Sequence, residues 1–219
     1  MGVNGAALPG RPPAHAEPPA RPPAFAGLVG LGGLHGCRPP DVDDRIRLAD
    51  GRRVHVRPVR ADDLEAEGRF VEALSPATRR LRFHGALNGL PDALLRAMTD
   101  VDPCLQVALV AVAGEALVAD ARYVVGDDPQ VAEFAIAVAD GWQGAGLGRA
   151  LMQRLSTHAR RRGLKRLHGE VLDDNHRMLS MLDTLGARLR PLRGGVGLVR
   201  AEFLLDDDGG FALLGDLGI

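Results

Sequence analysis

Several things are scarce in this sequence, and each scarcity excludes a class of protein. Only two of the 219 residues are cysteines, Cys37 and Cys104, which supports neither a disulfide framework nor a zinc site. The seven histidines are scattered without metal-ligand spacing, so no metal is expected. No apolar run approaches the roughly 18 residues of a membrane-spanning helix, and nothing near the start resembles a signal peptide.

An excess of charge of either sign is also lacking. The formal net charge is -1, which argues against binding nucleic acid through bulk electrostatics. Apolar residues at 46% and charged residues at 25% allow a packed core and exclude wholesale disorder. We therefore predict a soluble, cytoplasmic protein with one folded domain and neither a membrane nor a nucleic-acid partner.

Composition divides the chain into three parts. Residues 1–44 are crowded with proline, alanine and glycine and show no sustained period, which predicts a flexible tail. Residues 45–205 carry alternating strand and helix patterns and form the predicted domain. Residues 206–219 begin with three aspartates and two glycines, which predicts a solvated acidic tail.

The order of elements in the middle part predicts the fold class. A short strand is followed by helices, then three strands, a helix, a strand, a helix and a last strand, which predicts a mixed α/β sheet flanked by helices. The predicted strands span 54–59, 105–112, 117–125, 131–138, 166–172 and 196–204, and the two most regular predicted helices span 147–162 and 175–185.

A glycine loop joins the predicted strand 131–138 to the predicted helix 147–162. It reads Gln143-Gly144-Ala145-Gly146-Leu147-Gly148, and its backbone amides with the positive end of the helix favour a pyrophosphate. A P-loop is excluded because no Gly-Lys-Ser/Thr occurs, and the dinucleotide pattern fails because Arg149 or Leu151 takes its last place. A glycine-rich turn without any ligand is the alternative.

This loop resembles the acetyl-CoA pyrophosphate loop, Q/R-x-x-G-x-G/A, of the GCN5-related N-acetyltransferases (GNAT). The order of strands and helices is similar over residues 45–205. Four further segments resemble the bacterial protein-lysine acetyltransferase type within that family. They are Leu74-Ser75-Pro76-Ala77-Thr78 with Leu81-Arg82-Phe83, Ala132-Glu133-Phe134-Ala135, Trp142-Gln143-Gly144, and Asn175-His176-Arg177-Met178-Leu179.

The resemblance implies a mostly antiparallel sheet with acetyl-CoA in a cleft between splayed strands. The end of the predicted strand 131–138 corresponds to a bulged strand that pairs with the pantetheine arm, and the Val138 N–H would polarise the thioester carbonyl. Asn175 would contact the coenzyme, a role compatible with capping the next helix. The implied coenzyme-binding residues are Ile136, Ala137, Val138, Gln143, Gly144, Ala145, Gly146, Leu147, Gly148, Arg149 and Asn175.

Glu133 is the candidate general base. It lies in an otherwise apolar strand, where desolvation is expected to raise the pKa of a carboxyl. Strand alternation also allows Glu133 to face solvent with Val131 and Ala135, and the residues alone do not decide between the two. The resemblance favours the catalytic role, because many family members place their base on this strand.

Two positions depart from the family pattern. Leu182 stands where many members that act on small molecules carry a tyrosine, and Ala187 stands where an aromatic residue is usual. The missing tyrosine fits an enzyme that acetylates protein lysines by direct amine attack on acetyl-CoA. Two alternatives remain: an acetyltransferase for a small-molecule amine, and a coenzyme A-binding sensor with little turnover.

Overall fold

The computed structural model describes residues 38–84, 90–192 and 197–205. Most of the predicted N-terminal tail and the whole predicted C-terminal tail lie outside these residues. None of the helices in the described ranges is long and apolar enough to cross a membrane.

In the part of the chain that the structure describes, eight strands form one mixed sheet in the order β1-β2-β3-β4-β5-β6-β8-β7. Every neighbouring pair is antiparallel except β5 and β6, which are parallel. The strands are β1 (Asp44–Arg47), β2 (Arg53–Pro58), β3 (Gln106–Ala113), β4 (Ala116–Val125), β5 (Val131–Val138), β6 (Arg166–Leu172), β7 (Arg188–Pro191) and β8 (Leu198–Leu204). The predicted mixed α/β sheet flanked by helices is therefore confirmed.

Within the described residues, five α-helices flank the sheet: α1 (Leu64–Ala73), α2 (Pro76–Phe83), α3 (Asp92–Thr99), α4 (Leu147–Arg161) and α5 (His176–Thr184). Local signals set several of their ends. The Ser75 side chain accepts a hydrogen bond from the Thr78 N–H at 3.2 Å, and Pro76 occupies the first turn of α2. Gly163, with φ of 83°, follows the end of α4 in the left-handed conformation that glycine adopts most easily.

The helices divide between the two faces of the sheet. Apolar side chains of α4 and α5, among them Leu151, Leu155 and Leu182, pack with Phe134 and Ile136 of β5 in the larger core cluster. A smaller cluster on the opposite face packs α1 and α2 against β3, β4 and β5. Because strand residues alternate between faces, even-numbered positions of β5 lie under α4 and odd-numbered positions under α1 and α2.

The sequence patterns missed two short strands, β1 and β7. Both have four residues and lie at the two edges of the sheet, so they carry too few buried positions for a recognisable alternation. Cys104 is buried, at 7% exposure. It is also disulfide-bonded, which the low cysteine count did not predict.

Candidate active site

The sheet opens between its two parallel strands. β5 and β6 pair only from Val131 with Arg166 to Glu133 with His168, and beyond that point no register continues between them. The expected bulge in β5 is not what opens the sheet, because the β4–β5 register is continuous along both described strands. The edge of β5 from Phe134 onwards is exposed to the gap because β6 diverges from it.

A cleft of about 240 Å³ lies where the strands part. The end of β5, the glycine loop, the start of α4, and parts of α2 and α5 form its walls. Most of the predicted coenzyme-binding residues line it: Ile136, Ala137, Val138, Gln143, Gly144, Gly146, Gly148, Arg149 and Asn175. Six residues of α2 and α5 complete the lining, and the prediction had not included them: Thr78, Leu81, Arg82, Arg177, Met178 and Met181.

The glycine loop has the backbone conformation that its composition predicts. Gly144 and Gly146 have φ values of 82° and 89°, and α4 begins directly afterwards at Leu147. The N–H groups of the first helical turn therefore lie at the cleft without intrahelical partners. A Cβ on Gly148 would lie 3.3 Å from the Met181 sulfur, so this glycine also permits the close approach of α4 to α5. The arrangement fits an anionic group such as a pyrophosphate.

An acidic side chain joins this loop to α2. Asp140 accepts hydrogen bonds from the Ser75 N–H at 2.9 Å, the Ser75 hydroxyl at 2.7 Å and the Thr78 hydroxyl at 2.7 Å. Burial disfavours its charge, but these hydrogen bonds outweigh that effect and lower the pKa of Asp140. The contact fixes one wall of the cleft against another. Sequence reasoning missed it because Asp140 and Ser75 are 65 positions apart.

The β1–β2 turn holds the loop from the other side. The Ala49 N–H donates to the Ala145 carbonyl at 3.2 Å, and the Arg52 guanidinium donates to the Gly141 carbonyl at 2.9 Å. The same guanidinium lies 4.1 Å from the ring centroid of Trp142, a cation–π geometry. The loop is therefore anchored at three points before any ligand binds.

Val138 presents its backbone to the gap. The next residue, Ala139, donates its N–H to the Val118 carbonyl at 2.9 Å. Since successive residues of a strand direct their N–H groups to opposite edges, the Val138 N–H points away from β4 and towards the gap. The Val138 carbonyl on the same edge accepts from the Gln143 side-chain amide at 2.9 Å. A free N–H in this place suits a donor to a carbonyl oxygen in the cleft.

The opposite wall of the cleft comes from the start of α5. The Asn175 side chain accepts from the Met178 N–H at 3.3 Å and so caps this helix, while the same residue lines the cleft. Arg177 donates to the Gln143 side-chain carbonyl at 3.0 Å. This hydrogen bond spans the mouth of the cleft, from α5 to the glycine loop, and adds a cation near the predicted pyrophosphate position.

Three predicted site residues lie elsewhere. Ala145 and Leu147 are buried in the larger core cluster, at 6% and 1% exposure, so only their backbones are oriented towards a ligand. Glu133 is half-buried on the α1–α2 face, at the last position where β5 pairs with β6. It is not among the residues that line the cleft or the second pocket described next.

A second, smaller pocket of about 30 Å³ adjoins the cleft. The two cavities share Leu81, Arg82, Ile136, Asn175 and Met178, so they meet where β5 and β6 separate. The smaller one is closed by His84, Phe134, Ala135, Glu170 and Val171. Leu182, at the position of the family tyrosine, is fully buried in the core and contributes to neither cavity.

Comparison with known proteins identifies the family. Residues 75–187 match the model of the acetyltransferase (GNAT) family. The chain is 36% identical over 143 residues to the acetyltransferase PA5475 of Pseudomonas aeruginosa, covering 64% of this chain and 77% of that protein. It is 32% identical over 160 residues to the acetyltransferase Pat of Mycolicibacterium smegmatis, covering 72% of this chain and 47% of that longer protein.

A solved structure gives the same result. The crystal structure of the GNAT domain of S. lividans PAT superposes with a TM-score of 0.70 at 29% identity, covering 74% of this chain and 96% of that domain. The predicted resemblance to the bacterial protein acetyltransferase type is thereby confirmed. The chain belongs to the GNAT acetyltransferase family and is an N-acetyltransferase with acetyl-CoA as its co-substrate.

Proposed function

We propose that this protein transfers the acetyl group of acetyl-CoA to a lysine side chain of another protein, by direct attack with Glu133 as general base. One observation carries the proposal: Glu133 occupies the last paired position of β5 before the sheet opens. The residues assigned to the coenzyme line the cleft that begins there. In the proposal the base lies just before the point where the strands part, outside the lining of both cavities.

The size of the second pocket supports a macromolecular acceptor. Sites that enclose small molecules commonly measure about 300 Å³ or more, whereas the pocket beside the cleft measures about 30 Å³ within the described residues. Such a space admits the end of an extended side chain but does not enclose a polyamine or an antibiotic. The neighbouring part of the same sheet face is partly exposed, with Arg200 and Glu202 on β8, so it is accessible to a protein surface.

The reaction needs a proton acceptor and a carbonyl donor. A lysine ammonium has a pKa near 10.4 and must lose its proton before it attacks. In the proposed reaction this proton goes to the Glu133 carboxylate, directly or through one water. The amine nitrogen then bonds to the acetyl carbon, whose oxygen is stabilised by the Val138 N–H, and the carbon–sulfur bond breaks. The nitrogen loses one more proton as the amide forms. A thiol has a pKa near 8.5, so coenzyme A leaves as a thiolate and takes up that proton through solvent. Glu133 then releases its own proton to solvent.

Release of coenzyme A from acetyl-CoA tests the proposal. It is measured with a lysine-rich acceptor protein, with the same protein after chemical blocking of its lysines, and with free polyamines. We expect release that needs unblocked lysines. Glu133→Gln keeps the size of the side chain and removes its basicity, and it should lower kcat/KM at least tenfold, a loss of about 1.4 kcal/mol of transition-state stabilisation.

Glu72→Gln is the matched control, because Glu72 is an exposed carboxylate of α1 outside both cavities, and its activity should equal that of the wild type. Equal activity of Glu133→Gln and wild type would remove Glu133 as base. Faster turnover of polyamines than of protein would give a small-molecule enzyme. Binding of acetyl-CoA without release with any acceptor would favour a coenzyme A sensor.

A further inference from the structure

A cluster of buried charges lies on the sheet face under α1 and α2. Arg122 of β4 donates to both carboxylate oxygens of Asp120, one of them at 2.9 Å, and to the Met98 carbonyl at 3.0 Å. Glu67 of α1 lies 3.8 Å from the same guanidinium. Both Arg122 and Glu67 have 0% exposure, and Asp120 has 1%. Burying charges in this way is costly, so their retention needs a reason.

The cluster extends to the active site through Arg82. This arginine belongs to the Leu81-Arg82-Phe83 segment, near the end of α2, and is 6% exposed. It lines both the coenzyme cleft and the smaller pocket. α2 packs on β5, and the odd-numbered position of Glu133 places that side chain on the same face of the sheet as Arg82 and Asp120. Burial, reinforced by the charge of Arg122, lowers the pKa of Arg82 to about 10, and the charges of Asp120 and Glu133 oppose that change.

The charges of the cluster balance when Glu133 is counted as a carboxylate. Burial, reinforced by the charge of Asp120, raises the pKa of Glu67 to about 8, so Glu67 holds its proton at neutral pH. Neither of its carboxylate oxygens has a hydrogen-bond partner among the described residues. The cluster then contains two cations, Arg82 and Arg122, and one anion, Asp120. The Glu133 carboxylate supplies the second anion.

Other ionisable groups near Glu133 do not replace Arg82 in this balance. Burial lowers the pKa of both His84, at the end of α2, and His168, opposite Glu133 on β6, so both are neutral at neutral pH. Glu170 of β6 is paired with Arg200 at 3.2 Å. The elements packed around Glu133 carry these charged and titratable groups: Arg79, Arg80, Arg82 and His84 (α2 and its end), Glu65, Glu67, Arg69 and Glu72 (α1), Asp120, Arg122 and Tyr123 (β4), and Arg166, His168 and Glu170 (β6). Of the remaining cations, Arg80 pairs with Asp174 and Arg166 with Asp128.

We propose that Arg82, which lines both cavities, is a positioning residue for acyl transfer, whose buried cation keeps the neighbouring Glu133 a carboxylate. The inference rests on the proposed role of Glu133. Arg82 takes no proton and forms no bond in the reaction. Its charge favours the form of Glu133 that can accept a proton from the arriving ammonium.

The pH profile of kcat/KM distinguishes this role from a merely structural one. In Arg82→Gln, loss of the cation should move the acidic limb of the profile upwards by about one pH unit or more, because an opposite charge at close range shifts a carboxyl by that amount. Arg82→Lys keeps the charge and should restore the limb to within a few tenths of a unit. Arg69→Gln, on the exposed face of α1, should leave the profile unchanged.

A second measurement is independent of turnover. In the full chain carrying ¹³C-labelled glutamate, the Glu133 carboxyl signal is assigned by its absence from Glu133→Gln and titrated by NMR. Its midpoint should rise in Arg82→Gln and return in Arg82→Lys. An unchanged midpoint in a folded Arg82→Gln protein would overturn the inference, even if activity fell.

The two proposals fail separately. If Glu133→Gln keeps full activity, the base assignment fails whatever Arg82 does. If Glu133→Gln loses activity while Arg82→Gln retains both the acidic limb and the carboxyl midpoint of the wild type, Glu133 remains the base and the Arg82 inference fails. Should Arg82→Gln not fold, the Lys variant decides: a shifted limb despite the retained charge would contradict an electrostatic role.

Discussion

Under α4 and α5 the sheet is covered mainly by apolar side chains, whereas under α1, α2 and α3 it buries charges. Seven of the eight buried polar or charged residues in the described chain lie on the second side, and Ser156 of α4 is the exception. The seven are Asp63, Glu67, Arg82, Thr99, Gln106, Asp120 and Arg122. The apolar side supplies stability and supports the glycine loop. The charged side is the face of the sheet on which Glu133 lies.

This comparison predicts that the change in stability caused by a mutation depends on pH on the charged face and is independent of pH on the apolar face. Leu155→Ala on the α4 face should give the largest loss of stability, about 4 kcal/mol, because Leu155 is 0% exposed in the larger core cluster and its removal leaves a cavity. No ionisable group is involved, so the loss should be equal at pH 5 and pH 8. Thermal unfolding at both pH values measures it, and a loss that varies with pH would break the comparison.

Glu67→Gln on the opposite face should have a pH-dependent effect. The folded-state pKa of Glu67 is raised to about 8, above its ordinary value of 4.5. Glu67 therefore contributes its full stabilisation to the wild type below about pH 4.5. This contribution decreases as the pH rises and is lost once the pH has passed through about 8. Relative to the wild type, the Gln variant should gain roughly 3 kcal/mol between pH 5 and pH 7.5.

Urea unfolding of the wild type and Glu67→Gln at several pH values tests this prediction. The control is Glu65→Gln, because Glu65 lies on the same helix and its side chain is 84% exposed. A difference between Glu67→Gln and wild type that stays constant with pH would mean that Glu67 is ionised in the fold, and the charge balance argued for Arg82 would then be wrong.

The smallest effect is expected at the glycine loop, where the two faces meet. Gly146→Ala and Gly163→Ala introduce the same methyl group at φ values of 89° and 83°, with no atom within 4 Å of the new Cβ in either case. Both should cost about 1 kcal/mol of stability because a left-handed conformation is strained for alanine. Only Gly146 lines the cleft, so only its variant should weaken acetyl-CoA binding, measured by calorimetry. Equal affinities of the two variants would contradict the assignment of the loop to the coenzyme.

Much of the fold follows from local patterns. β5 spans the predicted 131–138, and α4 differs from its prediction by one residue at its end, because long periodic segments with glycine boundaries are recognisable without their neighbours. β1 and β7 were not predicted, because four residues are too few to show a strand pattern. Their extended conformation depends on pairing with β2 and β8. The prediction of a bulge in β5 was also wrong. The gap opens because the pairing of β6 with β5 ends at Glu133, and that pairing depends on residues distant in the sequence.

The candidate site divides in the same way. Residues of one continuous segment, from Ile136 to Arg149, were predicted together, and most of them line one cleft. Asp140 was overlooked, although it lies inside that segment, because its partners Ser75 and Thr78 are more than 60 positions away. Arg82 was noted only as part of a family-like segment, since nothing local indicates that its guanidinium is buried.

The sequence by itself determined the glycine loop, the alternation of strands and helices, and the family. These depend on positive φ angles, helix ends and periodic burial, which act over a few residues. Only the tertiary structure decided that Glu133 lies at the point where the sheet opens, and that Arg82 joins Asp120, Arg122 and Glu67 beside it. These groups come from α1, α2, β4 and β5, and their burial and charge depend on long-range packing that no local pattern encodes.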